Sequence, residues 1–345
     1  MQLIKRLSVI LGIILLLTSS VIAREEKSIN VTGKIIRFKS YKGDLYFLNA
    51  TEGNVWRFDK DLNYLNTIGK KGDGPGEIRG FSDFNFLDSN LYILNRQKVL
   101  IFSLNGDLIK EEKIKSKNQP YLPLKHGYYL AKETNILREK GKTIVQKISF
   151  LDGELNEKTV VLNEQLVIPP GYEFEFPEPI FEPGYCETTG LVYIPNASKE
   201  YLIFIYKEDG NRSGIINKRS QKTRVTERYR KKTSEILLDV PWITSQEMAK
   251  AVLKSIHFRR YFPPFHSIYL DDEGNLYVRT FKTRNNKTGY DKYSKEGTFI
   301  KEYFLNEANI NIVDANLFIS FASGNFYYMY EKENGDYILS CEKLD

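Results

Sequence analysis

A four-residue aromatic strand segment recurs six times along the chain, and that repetition restricts the fold more than any other feature. It reads Leu45-Tyr46-Phe47-Leu48, Leu91-Tyr92-Ile93-Leu94, Tyr128-Tyr129-Leu130-Ala131, Val192-Tyr193-Ile194-Pro195, Leu276-Tyr277-Val278-Arg279 and Phe326-Tyr327-Tyr328-Met329. Five copies follow directly on a turn signal: Gly43-Asp44, Ser89-Asn90, His126-Gly127, Gly274-Asn275 or Gly324-Asn325. In the other copy Gly190 lies one residue further back. A second strand follows each segment, and tight turns such as Asn105-Gly106, Asp152-Gly153, Asp209-Gly210 and Glu296-Gly297 lead into a third. The repeated tyrosines are 46, 37, 64, 84 and 50 residues apart. A core period of roughly 40–50 residues with four short strands per unit is the mark of propeller blades. A β-sandwich would not repeat one hairpin six times, and a helical solenoid would lack period-two aromatics. The sequence therefore predicts an all-β fold: a six-bladed β-propeller of four-stranded antiparallel blades, with one helical insertion.

The composition agrees. The chain of 345 residues holds 23 Tyr, 21 Phe and 2 Trp, residue types that favour strands. Two cysteines make no disulfide scaffold, and three histidines are few for a His-built metal centre. Cys186 and Cys341 are expected to stay unpaired. The formal net charge of +6 is mild, and nucleic acid is disfavoured as a partner. Lys5 and Arg6, an apolar run over 7–17 and the small-residue exit Val21-Ile22-Ala23 match a secretory signal peptide, cleaved after Ala23. The competing reading is an uncleaved anchor. Residues 24–345 are then one propeller domain, carrying an insertion at about 215–264. An exported chain of this kind is periplasmic or extracellular, and it is expected to be monomeric.

At 69–106 the pattern becomes more specific. Gly69-Lys70-Lys71-Gly72-Asp73-Gly74-Pro75-Gly76-Glu77, then Leu91-Tyr92-Ile93-Leu94-Asn95, Val99-Leu100-Ile101-Phe102 and Asn105-Gly106, resembles the bacterial six-bladed β-propeller family related to NHL repeats. Asn49 and Asn95 stand where that repeat usually has Asp, and the proline expected before the inner strand is missing around 81–86. The resemblance implies a fold and a surface location, with no single activity. The glycine-rich run is no phosphate loop, because no Gly-Lys-Ser/Thr ending and no helix follow it. It reads as a tight blade-to-blade crossing.

In a four-stranded blade the A–B and C–D turns share one face, and the B–C and D–A connections share the other. The first set is short throughout. The long connections, over 69–81, 132–142, 168–186, 215–264 and 282–289, all belong to the second, which marks it as the binding face. In the longest, Thr244-Ser245-Gln246-Glu247 reads as a helix start, with Met248, Val252 and Ile256 on one stripe. Upstream, 218–232 is strongly basic and reads first as a solvated face, second as a seat for an anionic partner. The loop 168–186 alternates Glu173, Glu175, Glu178 and Glu182 with aromatics, and charge pairing between the two loops is one outcome to look for. Candidate ligand-binding residues are Arg259, Arg260, Tyr261 and His266 at the exit of the insert, with Lys218, Arg219, Arg230, Lys231 and Tyr172.

Catalytic signatures are lacking: there is no HExxH, GxSxG or CxxC, and the three histidines are not expected to converge. No catalytic residue, metal or cofactor is assigned. The leading reading is an exported, non-catalytic binding or scaffolding propeller whose partner is a protein, a glycan or an anionic envelope component. The alternative is a propeller hydrolase or lyase with its site at the mouth of the central channel. Two structural expectations follow. Residues 28–33 should add the fourth strand of the last blade beside 337–341, since an open ring would leave an unpaired edge. The tyrosines Tyr46, Tyr92, Tyr129, Tyr193, Tyr277 and Tyr327 should pack between neighbouring blades.

Overall fold

The computed structural model describes residues 25–29, 33–78, 83–94, 98–114, 120–138, 142–177, 182–197, 200–238, 245–307, 318–332 and 335–344. The expected signal peptide lies outside them. Six four-stranded antiparallel sheets form the blades of a propeller. Named from the inner strand outward, blade 1 comprises Ile35–Tyr41, Asp44–Asn49, Asn54–Phe58 and Tyr64–Ile68. Blade 2 comprises Asp83–Leu87, Asn90–Leu94, Lys98–Ser103 and Leu108–Lys113; blade 3 comprises Pro120–Pro123, Tyr129–Leu137, Lys142–Leu151 and Glu157–Ile168. Blade 4 is built of Gly184–Cys186, Leu191–Asn196, Tyr201–Lys207 and Arg212–Lys218, and blade 5 of Ser267–Leu270, Leu276–Arg284, Lys287–Tyr293 and Phe299–Leu305. Blade 6 takes Phe318–Ala322, Asn325–Glu331 and Tyr337–Lys343 from the end of the chain and its outermost strand, Glu25–Ile29, from the beginning.

That last pairing closes the ring. Glu25 faces Cys341 and Ile29 faces Tyr337 in antiparallel register. The partner strand is the expected one, but the closing strand starts three residues earlier than 28–33. Of that predicted span, Ser28 and Ile29 are paired, Gly33 lies beyond the strand, and 30–32 fall outside the described residues.

Alternating side chains send each blade's apolar residues to both neighbours. The result is a buried cluster at each of the six blade interfaces. Blade 1 meets blade 2 through Tyr46, Leu48, Phe84 and Leu91, for example, and blade 6 meets blade 1 through Tyr327, Met329, Leu45 and Phe47. All six repeated tyrosines pack between neighbouring blades, as expected, five of them toward the following blade. Tyr46, Tyr193, Tyr277 and Tyr327 are buried toward the following blade, and Tyr92 is half-buried there. Blade 3 differs. Tyr129 turns back toward blade 2, and Tyr128 faces blade 4. The doublet Tyr128-Tyr129 offers two registers one residue apart, and a one-residue slip exchanges the two faces. Tyr193 is fully buried, and its hydroxyl donates to the Lys295 carbonyl at 2.9 Å. Tyr64, on an outer strand, is 57% exposed. Tyr193→Ala should therefore destabilise by about 3–5 kcal/mol and Tyr64→Ala by under about 1 kcal/mol in urea titrations; equal losses would contradict the blade interface described.

Three short turns of one face share a device. Asp59 Oδ1 accepts the amides of Asp61 and Asn63, both at 2.8 Å, and Asp152 Oδ1 those of Glu154 and Asn156, both at 2.9 Å. Asp271 Oδ1 does the same for Glu273 and Asn275, at 3.1 and 2.8 Å. An aspartate that bonds amides two and four residues on holds a tight turn by itself. The glycine-rich crossing is likewise structural. At Gly69, with φ +76°, a Cβ would lie 2.5 Å from Ile78 Cδ1, and Lys70–Lys71 pairs in parallel with Glu77–Ile78.

The opposite face carries the long connections, with three corrections. Residues 132–142 and 282–289 are mostly strand, because the second and third strands of blades 3 and 5 continue upward as paired hairpins to Leu137–Thr143 and Arg284–Lys287. The insert also holds two helices among the described residues, α1 (Glu227–Leu238) and α2 (Gln246–Lys254), where one was expected. Helix α2 starts in the expected segment, with Ser245 as its cap, the Oγ accepting the Met248 amide at 3.2 Å, but Ile256 has passed into a strand. Helix α1 is wound from the basic run. Thr226 Oγ accepts the Tyr229 amide at 3.2 Å, Glu227 occupies the first turn, and Tyr229 packs edge-on against Phe262. Among the described residues no helix is long and apolar enough to cross a membrane. Cys186 is the last residue of blade 4's inner strand, and Cys186 and Cys341 form no disulfide.

Candidate functional site

The insert leaves blade 4 at Lys218, the end of an outermost strand, and returns to blade 5 at the inner strand Ser267–Leu270. Its two ends run side by side. The Val225 amide donates to the Arg260 carbonyl at 3.2 Å, and the Phe262 amide to the Thr223 carbonyl at 2.9 Å. Between outgoing 217–222 and returning 259–264 lies a cleft of about 460 Å³, lined by Lys218, Arg219, Lys222, Arg259 and Tyr261 over a floor that includes Tyr201.

Each cation in the cleft has its own setting. Lys218 lies 2.9 Å from Asp291 Oδ1, a carboxylate on blade 5 that is 1% exposed, and the Tyr201 hydroxyl donates to Asp291 Oδ2 at 2.9 Å. The Lys218 ammonium also stands over the rings of Phe299 and Tyr201, at 4.6 and 5.8 Å. It is thus a cross-blade tie, where a solvated side chain was expected. Burial, and then the Asp291 carboxylate, pushes the Tyr201 phenol well above its ordinary pKa, so it remains a hydrogen-bond donor. Arg259 Nη2 donates to Glu175 Oε2 at 2.6 Å, and His257 Nε2 is 3.8 Å from the other Glu175 oxygen. Phe174–Phe176 pairs in parallel with Ile256–Phe258, so the acidic loop holds the insert against the body. Lys222 and Arg260 stand over the Tyr261 ring at 5.6 and 5.3 Å. Arg219 lines the cleft beside them.

Of the nine residues proposed from the sequence, Lys218, Arg219, Arg259 and Tyr261 therefore converge, and Arg260 flanks them. Arg230 and Lys231 do not: they lie on α1, where Arg230 covers the Phe258 ring and pairs with Glu227, and Lys231 is 4.0 Å from Glu235. Tyr172 rests against the His257 ring at 5.1 Å. The two loops are charge-paired, but through Glu175 with Arg259 and His257. Glu173 binds Arg138 and Lys142, and Glu182 binds Lys132, all on blade 3. Lys222, Tyr201 and Asp291 were not singled out. Lys222 belongs to the same basic run, whereas nothing local to the sequence marks Asp291 as the counter-ion of Lys218.

His266 belongs to a different cluster. Its ring lies 3.4 Å from the Arg279 guanidinium and 2.9 Å from Ser267 Oγ, which donates to Tyr269 at 3.0 Å; Arg279 is tied in turn to buried Glu307. Burial and then the Arg279 charge hold the imidazole well below its ordinary pKa. The unfolded chain takes up a proton near pH 6.5 and the folded one does not. Stability should thus fall as pH drops below about 6.5, by at most about 1.4 kcal/mol per pH unit from this group. His266→Gln should flatten the dependence of melting temperature on pH between about 6.5 and 5. An unaltered slope would mean that His266 protonates in the folded protein. Among the described residues, no three His, Cys, Asp or Glu side chains are close enough to hold a metal ion.

A family model described as a 6-bladed beta-propeller, DUF5128, matches residues 15–168. Among solved structures the chain is similar to a Bacteroides fragilis protein named as an exported one, at 15% identity over 93% of this chain and 95% of that one, with a TM-score of 0.54. A Bacteroides vulgatus member of the DUF4221 family is 10% identical over 93% of this chain and 96% of that one, with a TM-score of 0.49. No curated protein matches the sequence. The first likeness bears on the fold alone.

Proposed function

We propose that this six-bladed propeller is an exported, non-catalytic binding module that holds an acidic polysaccharide in the cleft at the foot of its insert. One observation carries the reading. The residues 217–222 and 259–264 meet to place Lys218, Arg219, Lys222, Arg259 and Tyr261 in the lining of one cleft, where the cations outnumber the single carboxylate, Glu200. Lys218 and Arg259 are fixed by Asp291 and Glu175. Arg219 and Lys222 are left to meet carboxylate, sulfate or phosphate groups on a polymer, with Tyr261 as an apolar platform. The amino-terminal leader pattern supports export, and the similar Bacteroides fragilis protein bears that designation. A relation to NHL repeats belongs to the same reading and rests on the residues of 69–106.

The test is binding of polygalacturonate, followed by calorimetry at rising salt. The native protein should bind it with an affinity that falls as salt screens the cleft. Arg219→Glu with Lys222→Glu should weaken binding at least about tenfold, the equivalent of about 1.4 kcal/mol, and flatten the salt dependence with little change in melting temperature. Lys218→Glu is unsuitable for this purpose, since it sets two carboxylates together at a buried site. Undiminished binding by the folded double variant would refute the assignment.

A further inference from the structure

The innermost strand of every blade is the terminal strand of its sheet, so one of its edges bonds to no other strand. Such an edge carries alternating N–H donors and C=O acceptors that require partners. Around the propeller axis these edges enclose a cavity of about 550 Å³, lined by residues of all six inner strands and within the size range of small-molecule sites.

The lining mixes polar groups with a larger share of apolar surface, and it carries no net charge. Lys39, Lys42 and Lys125 are balanced by Glu187, Asp271 and Asp272, and each charge is engaged within the protein. Glu187 reaches from blade 4 to the other side of the channel, accepting the Tyr41 hydroxyl of blade 1 at 2.9 Å and the Asp88 amide of blade 2 at 2.8 Å. Lys125 of blade 3 donates to the Glu187 carbonyl at 2.9 Å. Asp272 of blade 5 accepts the amide and hydroxyl of Ser323, of blade 6, at 2.8 and 2.9 Å, and Asp271 accepts its own turn amides. Lys39 donates to the Phe84 carbonyl and to Asn85 Oδ1, and Lys42 to Ser89 Oγ, each at 2.5 Å. The cavity thus offers backbone donors and acceptors, the paired hydroxyls of Ser40 and Ser320 at 2.6 Å, and the side chains of Tyr121 and Tyr269.

We infer that the central channel is a second binding site, for a neutral polyhydroxylated ligand: a mono- or disaccharide. A hydroxyl both donates and accepts, which suits an edge where the two alternate. The C–H face of a pyranose suits a tyrosine ring. A charged ligand would lose its hydration without finding an opposite charge left unengaged.

Saturation-transfer NMR with glucose, maltose, cellobiose and lactose tests this. Transfer to the protons of at least one of these sugars is expected, undisturbed by inorganic phosphate and retained in the Arg219→Glu, Lys222→Glu protein. Ser320→Phe, which fills the cavity, should abolish it. Asn85→Ala should weaken binding by about three- to tenfold and serves alone if the larger side chain prevents folding. Absence of transfer to all four sugars overturns the proposal. So does displacement by phosphate, loss of the signal in the Arg219→Glu, Lys222→Glu protein, or full binding by a folded channel variant.

Discussion

Replacing Glu307 by alanine is expected to destabilise the propeller by about 3–5 kcal/mol. Glu307 and Arg279 are 2% and 3% exposed, and they meet in a two-point contact, Nε to Oε1 at 3.0 Å and Nη2 to Oε2 at 2.5 Å. Burial alone would lower the Arg279 pKa, but the Glu307 carboxylate outweighs it and the guanidinium stays charged. The Tyr290 hydroxyl also donates to Glu307 and would lose its acceptor. Removing the carboxylate leaves a cation and a phenol without compensation inside blade 5. The paired change Arg279→Met with Glu307→Leu should recover most of the loss, because no charge is then left buried. Urea titrations of the three variants measure this. A loss below about 1 kcal/mol for Glu307→Ala would mean that water reaches Arg279.

Deletion of residues 25–29 should have an effect of similar size by another route. Five positions of the last blade lose their ladder partners, at about 1 kcal/mol for each hydrogen bond. The strand Tyr337–Lys343, whose Tyr337, Ile338 and Leu339 are buried, becomes an edge. The expected result is a melting temperature lower by about 10 °C or more, together with concentration-dependent association. A proline at Lys27 removes a single N–H and should give a smaller shift in the same direction. An unchanged melting curve after the deletion would show that the ring is not closed by this strand.

The blades were legible because their signals are local. Alternating aromatics, and turn residues at fixed offsets such as Gly43-Asp44 and Asn105-Gly106, define each hairpin without reference to the rest of the chain. The register of blade 3 was not, since Tyr128 and Tyr129 are interchangeable in pattern and differ only in the blade they face. Helix α1 was hidden by its charge. A run rich in Lys and Arg reads as a solvated face, and its cap at Thr226 lies inside that run. At the site, the basic segment and the exit of the insert were visible, yet their roles depended on partners distant in sequence. Lys218 binds Asp291 and Arg259 binds Glu175, so two apparent ligand-binding cations also hold the architecture. The channel followed from the propeller fold, but its lining could not be read. Its lining runs from Phe38 to Ala322, a few residues from each blade, and is assembled only when the ring closes.

Hydrogen–deuterium exchange with and without polygalacturonate tests most directly whether the long-loop face carries the ligand. Added polymer should slow exchange at backbone amides of 217–222 and 259–264, and leave the turns at 59–63, 152–156 and 271–275 unchanged. Protection confined to those turns, or none in the cleft while the polymer is bound, would contradict the account.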